Sequence, residues 1–99
     1  MTVFRVYDDE WEQVMGTMQI RKFAFEQTTC FLDCNSDEEV EDEIEGAITL
    51  GKREIARKFI KGVQDGTITS KNYAKHLNED DAIEVLKLRY FDVEELNVY

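Results

Sequence analysis

The stretch Asn35-Ser36-Asp37-Glu38-Glu39 has the pattern of a helix start. Its serine is followed three residues later by a glutamate, which is the spacing of a capping box. In a capping box the serine hydroxyl accepts a hydrogen bond from the backbone N–H of that glutamate. Apolar residues then recur every three or four positions, as on one face of a helix: Val40, Ile44, Ala47, Ile48, Ile55, Phe59 and Val63. Asp65-Gly66 has the composition of a helix end, so we predict one long helix of up to ~29 residues, with Gly46 and Gly51 as bend points.

Before this helix the pattern changes to that of a strand. Residues 2–7 alternate between two sets of side chains, as a half-buried strand does. Asp8 or Asp9 then stands where an N-cap would precede a helix whose apolar residues are Trp11, Val14, Met15 and Met18. The aromatic and β-branched content of residues 23–32 favours a further strand, although a longer helix through Phe25 also fits the apolar spacing.

After Gly66, two shorter helices are expected. Thr69 or Ser70 caps the first, which runs through Leu77, and Asn78 caps the second. The apolar face of the second helix is formed by Ile83, Leu86, Tyr90 and Val93, while residues 85–90 also fit a strand. We therefore predict a single α+β domain over residues 1–99, with two or three antiparallel N-terminal strands, a long central helix and one or two C-terminal helices. The alternative is a mainly α-helical fold.

Acidic residues dominate the charge of the chain. There are 22 Asp+Glu against 12 Lys+Arg, and the formal charge is −10 at pH 7. Residues 23–51 include nine acids and neither Lys nor Arg, whereas five bases follow closely: Lys52, Arg53, Arg57, Lys58 and Lys61. Acids early in a helix and bases late in it suit the helix dipole, which accounts for part of this pattern.

The density of the acids exceeds what a helix dipole requires. Glu38, Asp42 and Glu45 form one row on a helix, and Glu39 with Glu43 forms a second. Like charges at this spacing repel by a few tenths of a kcal/mol per pair, which suggests that the negative field has a use. Carboxylates about 6 Å apart approximate the repeat of charge along a DNA strand. The residues predicted to bind a partner are Asp33, Asp37, Glu38, Glu39, Glu41, Asp42, Glu43, Glu45, Glu79, Asp80, Asp81, Glu84 and Trp11.

In size, in charge and in its lack of catalytic motifs, the whole chain resembles the small acidic DNA-mimic proteins of bacteriophages and mobile elements. Members of that class inhibit restriction, repair or CRISPR nucleases, or other DNA-binding host proteins. The resemblance implies a non-catalytic inhibitor of anti-restriction or anti-CRISPR type, whose partner is a basic nucleic-acid-binding protein such as a nuclease or polymerase. Direct binding to nucleic acid or to a membrane surface is disfavoured, because both are anionic.

We expect no metal, no cofactor and no catalytic centre. Residues 33–37 match the first ligand positions of a calcium loop, but Glu38 replaces the required glycine and Ile44 replaces the bidentate glutamate. Cys30, Cys34 and His76 are too few and too irregularly spaced for a zinc site. His76 is also the sole candidate base for nucleophilic catalysis, and the polar segment around it has no recognisable partner motif. With two reduced cysteines and neither a signal peptide nor a long apolar run, the expected location is the cytoplasm, that of the host cell for a phage protein.

A second hypothesis belongs to a different class of function. The chain would be a protein-interaction module, such as a transcription co-regulator, an antitoxin-like antidote or an adaptor, that binds through an apolar helix face. Trp11 or Tyr90 would then anchor the interface, because aromatic residues surrounded by charge are common there. A homodimer is compatible with both hypotheses.

Overall fold

A three-stranded antiparallel sheet and five α-helices make up the fold in the computed structural model, which describes residues 1–51 and 55–97. The strands are β1 (Thr2–Tyr7), β2 (Glu12–Met15) and β3 (Asp92–Asn97), in the order β2-β1-β3. Phe4 of β1 pairs with Met15 of β2, and Thr2 pairs with Asn97 of β3. The predicted α+β class is confirmed. The third strand comes from the C-terminal part of the chain, whereas we expected it near the N-terminus.

The helices are α1 (Thr17–Cys34), α2 (Asp37–Thr49), α3 (Lys61–Asp65), α4 (Tyr73–His76) and α5 (Glu79–Leu88), and a π-helical segment (Ile55–Ile60) precedes α3. Helices α1 and α5 pack against each other, α1 against β1 and α5 against β3. The main core lies between them and is formed by Phe4, Val6, Met15, Ile20, Ala24, Phe25, Phe59, Ile68, Leu77, Ala82, Val85 and Leu86. No helix in the described ranges is both long enough and apolar enough to cross a lipid bilayer.

The helix expected after Asp8 is wrong, because this segment forms a β-hairpin. The Asp8 carboxylate accepts a hydrogen bond from the Glu10 backbone N–H at 2.9 Å, and the Asp8 N–H donates to the Trp11 carbonyl at 2.8 Å. These two bonds close a turn, so the aspartate starts a hairpin loop in place of a helix. Met15 is buried while the neighbouring Val14 is 54% exposed, as strand alternation requires.

The strand expected over residues 23–32 is also wrong, since these residues belong to α1. The buried residues of α1 are Ile20, Ala24, Phe25 and Thr28, and the four-residue step from Ile20 to Ala24 and the three-residue step from Phe25 to Thr28 define one helical face. The Thr28 hydroxyl donates to the Ala24 carbonyl at 2.9 Å, which satisfies its polar group inside the core. Tertiary burial thus overrides the strand propensity of the aromatic and β-branched residues. The alternative of a helix through Phe25 was closer to the structure.

The predicted long helix is interrupted, although both of its end signals are confirmed. The Ser36 hydroxyl accepts from the Glu39 backbone N–H at 3.3 Å, and Gly66 ends α3 in the left-handed conformation, with φ of 85°. In between, α2 ends before Gly51, whose φ is 82° and whose N–H donates to the Ile48 carbonyl at 3.0 Å. Of the two glycines predicted as bend points, Gly51 therefore follows the end of α2, whereas Gly46 lies within that helix. Two of the five expected bases, Lys52 and Arg53, lie outside the described residues.

The C-terminal helices differ from expectation at their ends. Asn78 caps α5 by accepting from the Asp81 N–H at 2.8 Å, which confirms that start. Helix α4 begins later than predicted, since the Thr69 hydroxyl accepts from the Lys71 N–H within a turn that precedes the helix. Helix α5 includes residues 85–88, which excludes a strand there, and it ends before Val93, which belongs to β3.

Candidate partner-binding surface

Helix α2 presents a row of carboxylates to solvent. Its buried residues Val40, Ile44 and Ala47 lie on one face and pack in a second apolar cluster with Ile60 and Leu88. At 3.6 residues per turn, Glu38, Asp42 and Glu45 lie on the face opposite to that cluster. All three side chains are exposed. We call Glu38, Asp42 and Glu45 the outward row.

The acids on the two flanks of α2 are engaged within the protein. On one side Glu41 forms an ion pair with Lys61 of α3. On the other side Glu43 Oε1 lies 2.9 Å from Arg89 Nη1, and these side chains are only 23% and 18% exposed. The Arg89 guanidinium also lies 3.8 Å from the ring centroid of Phe31 in α1, in a cation–π contact. These contacts fix the rotation of α2 about its own axis, and thereby the direction in which the outward row points.

The outward row is different, because its carboxylates have no ion pair to any described residue. The row rises about 10 Å along the helix axis from Glu38 to Glu45, at about 1.5 Å per residue. Glu39, in the second predicted row, accepts a hydrogen bond from the Asn35 side-chain amide. Glu43, the other member of that row, is neutralised by Arg89. Of the two predicted rows, one therefore remains available to a partner.

The other predicted acids are distributed over two further places. Asp33 and Asp37 line a groove of about 250 Å³ between α1, the start of α2 and α3, together with the buried residue Val40. Glu79, Asp80 and Asp81 form the first turn of α5, and Glu84 pairs with Lys87 at 4.0 Å. Arg89, which contacts α2, caps the other end of α5, about 15 Å along that helix. The acids at the start of α5 therefore lie at the opposite end of that helix from the Arg89–Glu43 contact with α2.

Arg5 neutralises acids on the outer face of the sheet. Its guanidinium bonds to Glu12 of β2, lies 3.2 Å from the Glu94 carboxylate of β3 and stacks 4.0 Å from the Tyr7 ring centroid. The hydrogen bond to Glu12 raises the pKa of Arg5 above its ordinary value, and the bond to Glu94 acts in the same direction. Glu12 and Glu94 thus form ion pairs within the sheet, whereas the carboxylates of the outward row form none with a described residue.

Trp11, which we predicted to contact a partner, is 36% exposed and belongs to an aromatic cluster. Its ring stacks on Phe23 of α1, with centroids 5.2 Å apart, and meets the edge of Phe91 at 5.9 Å. Phe23 and Phe91 are themselves 5.3 Å apart. Trp11 thus closes the core at the hairpin end of the sheet while part of its ring faces solvent.

Tyr90 is the exposed aromatic residue that the sequence pattern assigned to a buried helix face. Its side chain is 79% exposed, and its φ of 69° lies in the left-handed region. Tyr90 follows the last turn of α5, beside Arg89. A signal for this helix end was present in the pair Leu86 and Phe91, since apolar residues at this spacing accompany left-handed helix caps even where no glycine is present.

Neither the cysteines nor the histidine belongs to a metal site in the part of the chain that the structure describes. No group of three or more His, Cys, Asp or Glu residues is arranged there to hold a metal ion. Cys30 and Cys34 are exposed free thiols on α1. His76 is half-buried beside a cavity of about 30 Å³ that Lys58 and Asp81 also line.

Comparisons with protein-family models, with curated proteins and with solved structures each give no match to this chain.

Proposed function

We propose that this protein is a non-catalytic inhibitor whose acidic surface occupies the nucleic-acid-binding cleft of a host enzyme, such as a restriction or CRISPR nuclease. The observation that supports the proposal is the outward row, Glu38, Asp42 and Glu45, which is exposed and has no ion pair to a described residue. A cleft that binds phosphates presents Lys and Arg side chains to its ligand. Three carboxylates on one helical face offer those cations a matching row of anions.

The contacts that orient α2 contribute to this role. Because Glu41 and Glu43 are tied to Lys61 and Arg89, a partner meets carboxylates whose helix is already oriented. Asp33 and Asp37 add negative charge where α1 meets α2, and Glu79, Asp80 and Asp81 add more in the first turn of α5. We place the inhibitor in the cytoplasm of the host cell, where such nucleases act.

The proposal is tested by capture of nucleic-acid-binding enzymes from a nucleic-acid-depleted bacterial lysate on the immobilised protein at low salt. The test variant reverses the outward row: Glu38→Lys, Asp42→Lys and Glu45→Lys. The matched control reverses three exposed acids on the sheet side of the molecule: Asp9→Lys, Glu10→Lys and Glu95→Lys. Each reversal adds two charges, so the formal charge changes from −10 to −4 in both variants.

We expect the wild type and the control to retain a nuclease, polymerase or similar enzyme that added DNA displaces, and the test variant to lose it. Retention should weaken as salt rises, because the screening length falls from about 10 Å at 0.1 M to about 3 Å at 1 M. Equal loss in both variants would indicate dependence on net charge alone. Retention by the test variant, or capture of no nucleic-acid-binding enzyme, would contradict the proposal.

The second candidate is a protein-interaction module, and the exposed parts of Trp11 and Tyr90 favour it. The apolar faces of α2 and α5 are already used in the two cores, so an interface would depend on these aromatic rings and not on a helix face. A partner retained at 1 M salt, lost in Trp11→Ala and still bound by the outward-row variant would favour this candidate.

A further inference from the structure

A groove of about 490 Å³ lies between α2 and the facing residues 55–61. Six described residues line it, two apolar, two acidic and two basic: Ile44, Ile48, Glu41, Glu45, Arg57 and Lys61. The apolar and acidic side chains come from α2, and the basic ones come from the facing segment. We call this site the mixed-charge groove. Its lining has no net charge, in a chain whose formal charge is −10.

The groove leaves one charge of each sign unpaired. Glu41 and Lys61 form an ion pair with each other. Glu45 and Arg57 are exposed, and neither has an ion pair to a described residue. Although both line the same groove, the nitrogen atoms of Arg57 and the carboxylate oxygens of Glu45 are therefore more than 4.0 Å apart. A partner that satisfies both must bring a cation to Glu45 and an anion to Arg57.

Apolar surface adjoins these charges at the end of α2. Ile48 is half-buried in the lining of the groove, and Leu50, two residues further along the chain, is 73% exposed. Protein–protein contacts commonly have an apolar centre surrounded by a polar rim. This combination favours a protein surface as the partner of the groove over a small ion.

We infer that the partner in the mixed-charge groove is a second copy of this chain. Two-fold symmetry brings the same surface of both copies together, so every contact between two different residues occurs twice. Glu45 of each copy then faces Arg57 of the other, and Leu50 adds apolar contact. The groove supplies both members of this pair, so a second copy is complementary to it without any other protein.

The charge distribution favours this partner over a basic enzyme. Two chains of formal charge −10 repel each other, and the repulsion is smallest where the facing surfaces are neutral. A basic cleft is attracted to the outward row, but it meets two cations in the mixed-charge groove. Self-association thus goes beyond the proposed function and does not depend on it. Because Glu45 belongs to both surfaces, a dimer withdraws one of the three outward-row carboxylates from any other partner.

The experiment measures the dimer dissociation constant of the full chain by sedimentation equilibrium, at about 0.15 M salt, where the screening length is about 8 Å. The test variants are Glu45→Arg and Arg57→Glu, each of which places like charges opposite each other in the dimer. The matched controls are Glu38→Arg on α2 and Lys58→Glu beside Arg57, at exposed positions that do not line the groove. The two arginine variants have a formal charge of −8, and the two glutamate variants have −12.

We expect the wild type to dimerise and each test variant to bind itself at least about tenfold more weakly, because like charges across an interface disfavour association. An equimolar mixture of the two test variants should recover the wild-type dissociation constant to within about threefold. In the mixed dimer, Arg at position 45 of one copy faces Glu at position 57 of the other, while Arg57 faces Glu45. The controls should stay within about threefold of the wild type, as expected for charges outside the contact.

Four results would overturn the inference. These are a wild type that stays monomeric up to millimolar concentration, undiminished dimerisation of either test variant, no recovery on mixing, and equal weakening in the matched controls. The last result would indicate a dependence on net charge alone. None of them bears on the proposed function, which is read from capture of an enzyme. Arg57→Glu keeps the outward row and should still capture that enzyme, so the loss of self-association and the loss of capture are distinguishable.

Discussion

The core under the sheet and the core under α2 are built differently. The first contains twelve buried apolar side chains contributed by strands, helices, the π-helical segment and the connections at Ile68 and Leu77. The second contains five: Val40, Ile44, Ala47, Ile60 and Leu88. Around the second core, ion pairs from Lys61 and Arg89 hold the flanks of the helix. The charged surface is thus supported by a small core and by contacts that salt can screen, whereas the sheet depends mainly on apolar burial.

This difference suggests a division of labour between the two regions. The main core sets the stability of the fold, and the small core sets the orientation of the acidic helix. Repulsion among the outward-row carboxylates acts on α2 in particular, so its anchoring contacts offset a local cost. Three substitutions test this division and a fourth serves as a reference outside both cores; we describe them in order of decreasing expected effect.

Leu86→Ala removes a fully buried side chain from the main core. We expect a loss of about 3 kcal/mol in the free energy of unfolding, from lost burial and from the cavity left behind. Urea unfolding followed by circular dichroism measures it, and the transition should stay cooperative. Leu50→Ala is the control, because Leu50 is 73% exposed, and it should change stability by less than about 0.5 kcal/mol. Equal losses in the two variants would contradict the assigned core.

Ile44→Ala removes the central buried residue of α2. We expect a loss of about 2 kcal/mol, smaller than that of Leu86→Ala because the small core has fewer neighbours to leave unpacked. Hydrogen exchange should show α2 amides losing protection while those of α1 and α5 keep theirs. A uniform loss of protection in all three helices would show that the two cores unfold as one unit.

Arg89→Met removes the partly sheltered ion pair with Glu43 and the cation–π contact with Phe31. The expected loss is about 1–2 kcal/mol, because both partners lose their contacts in a partly desolvated site. Lys61→Met is the matched control. Its ion pair with Glu41 is more exposed, at 43% and 53%, so the loss should stay under about 0.5 kcal/mol. Thermal unfolding at low and high salt compares the stability losses of the two variants. A larger loss for Lys61→Met than for Arg89→Met would contradict the prediction.

Asp65 lies outside both cores and should give the smallest effect. Hydrogen bonds from the Thr67 side chain and backbone N–H lower the pKa of Asp65 below its ordinary value. A carboxylate whose pKa is lower in the folded state stabilises the fold at neutral pH, and this contribution disappears as pH falls through the folded pKa, below about pH 4. The Tm difference between wild type and Asp65→Asn should therefore shrink in that range. A Tm difference that does not change with pH would show that the lowered pKa of Asp65 does not contribute to stability.

Local signals near helix ends were readable from the sequence because each involves few residues. Ser36 with Glu39, Asn78 with Asp81, and Gly66 each satisfy backbone groups within a few positions of themselves. The hairpin at Asp8 was missed for a related reason. An aspartate whose carboxylate accepts a nearby backbone N–H serves a turn as well as a helix, and local sequence does not separate the two.

Elements defined by distant contacts were harder to predict. The character of α1 depends on the burial of Ile20 and Ala24 beneath the sheet and α5, and β3 depends on pairing with β1. The apolar spacing of Tyr90 and Val93 predicted that α5 continues through both residues. The left-handed backbone conformation of Tyr90 ends the helix before them. Among the candidate site residues, the helical spacing predicted that Glu38, Asp42 and Glu45 share one face of a helix, and all three are exposed on α2. The spacing could not show that Glu43 meets Arg89, because that pair joins residues far apart in sequence.

The pairing of Thr2 with Asn97 also bears on the order of events during folding. Strand β1 lies in the centre of the sheet, and one of its two neighbours, β3, comes more than eighty residues later in the sequence. On the ribosome, β1 and β2 can form their hairpin early, while the other edge of β1 stays open until β3 has been synthesised. Contacts between residues so far apart in sequence slow folding, because the entropy cost of closing the intervening loop arises before the contacts form. A nascent chain arrested before Asp92 should therefore expose an unpaired strand edge that chaperones or a second chain can bind.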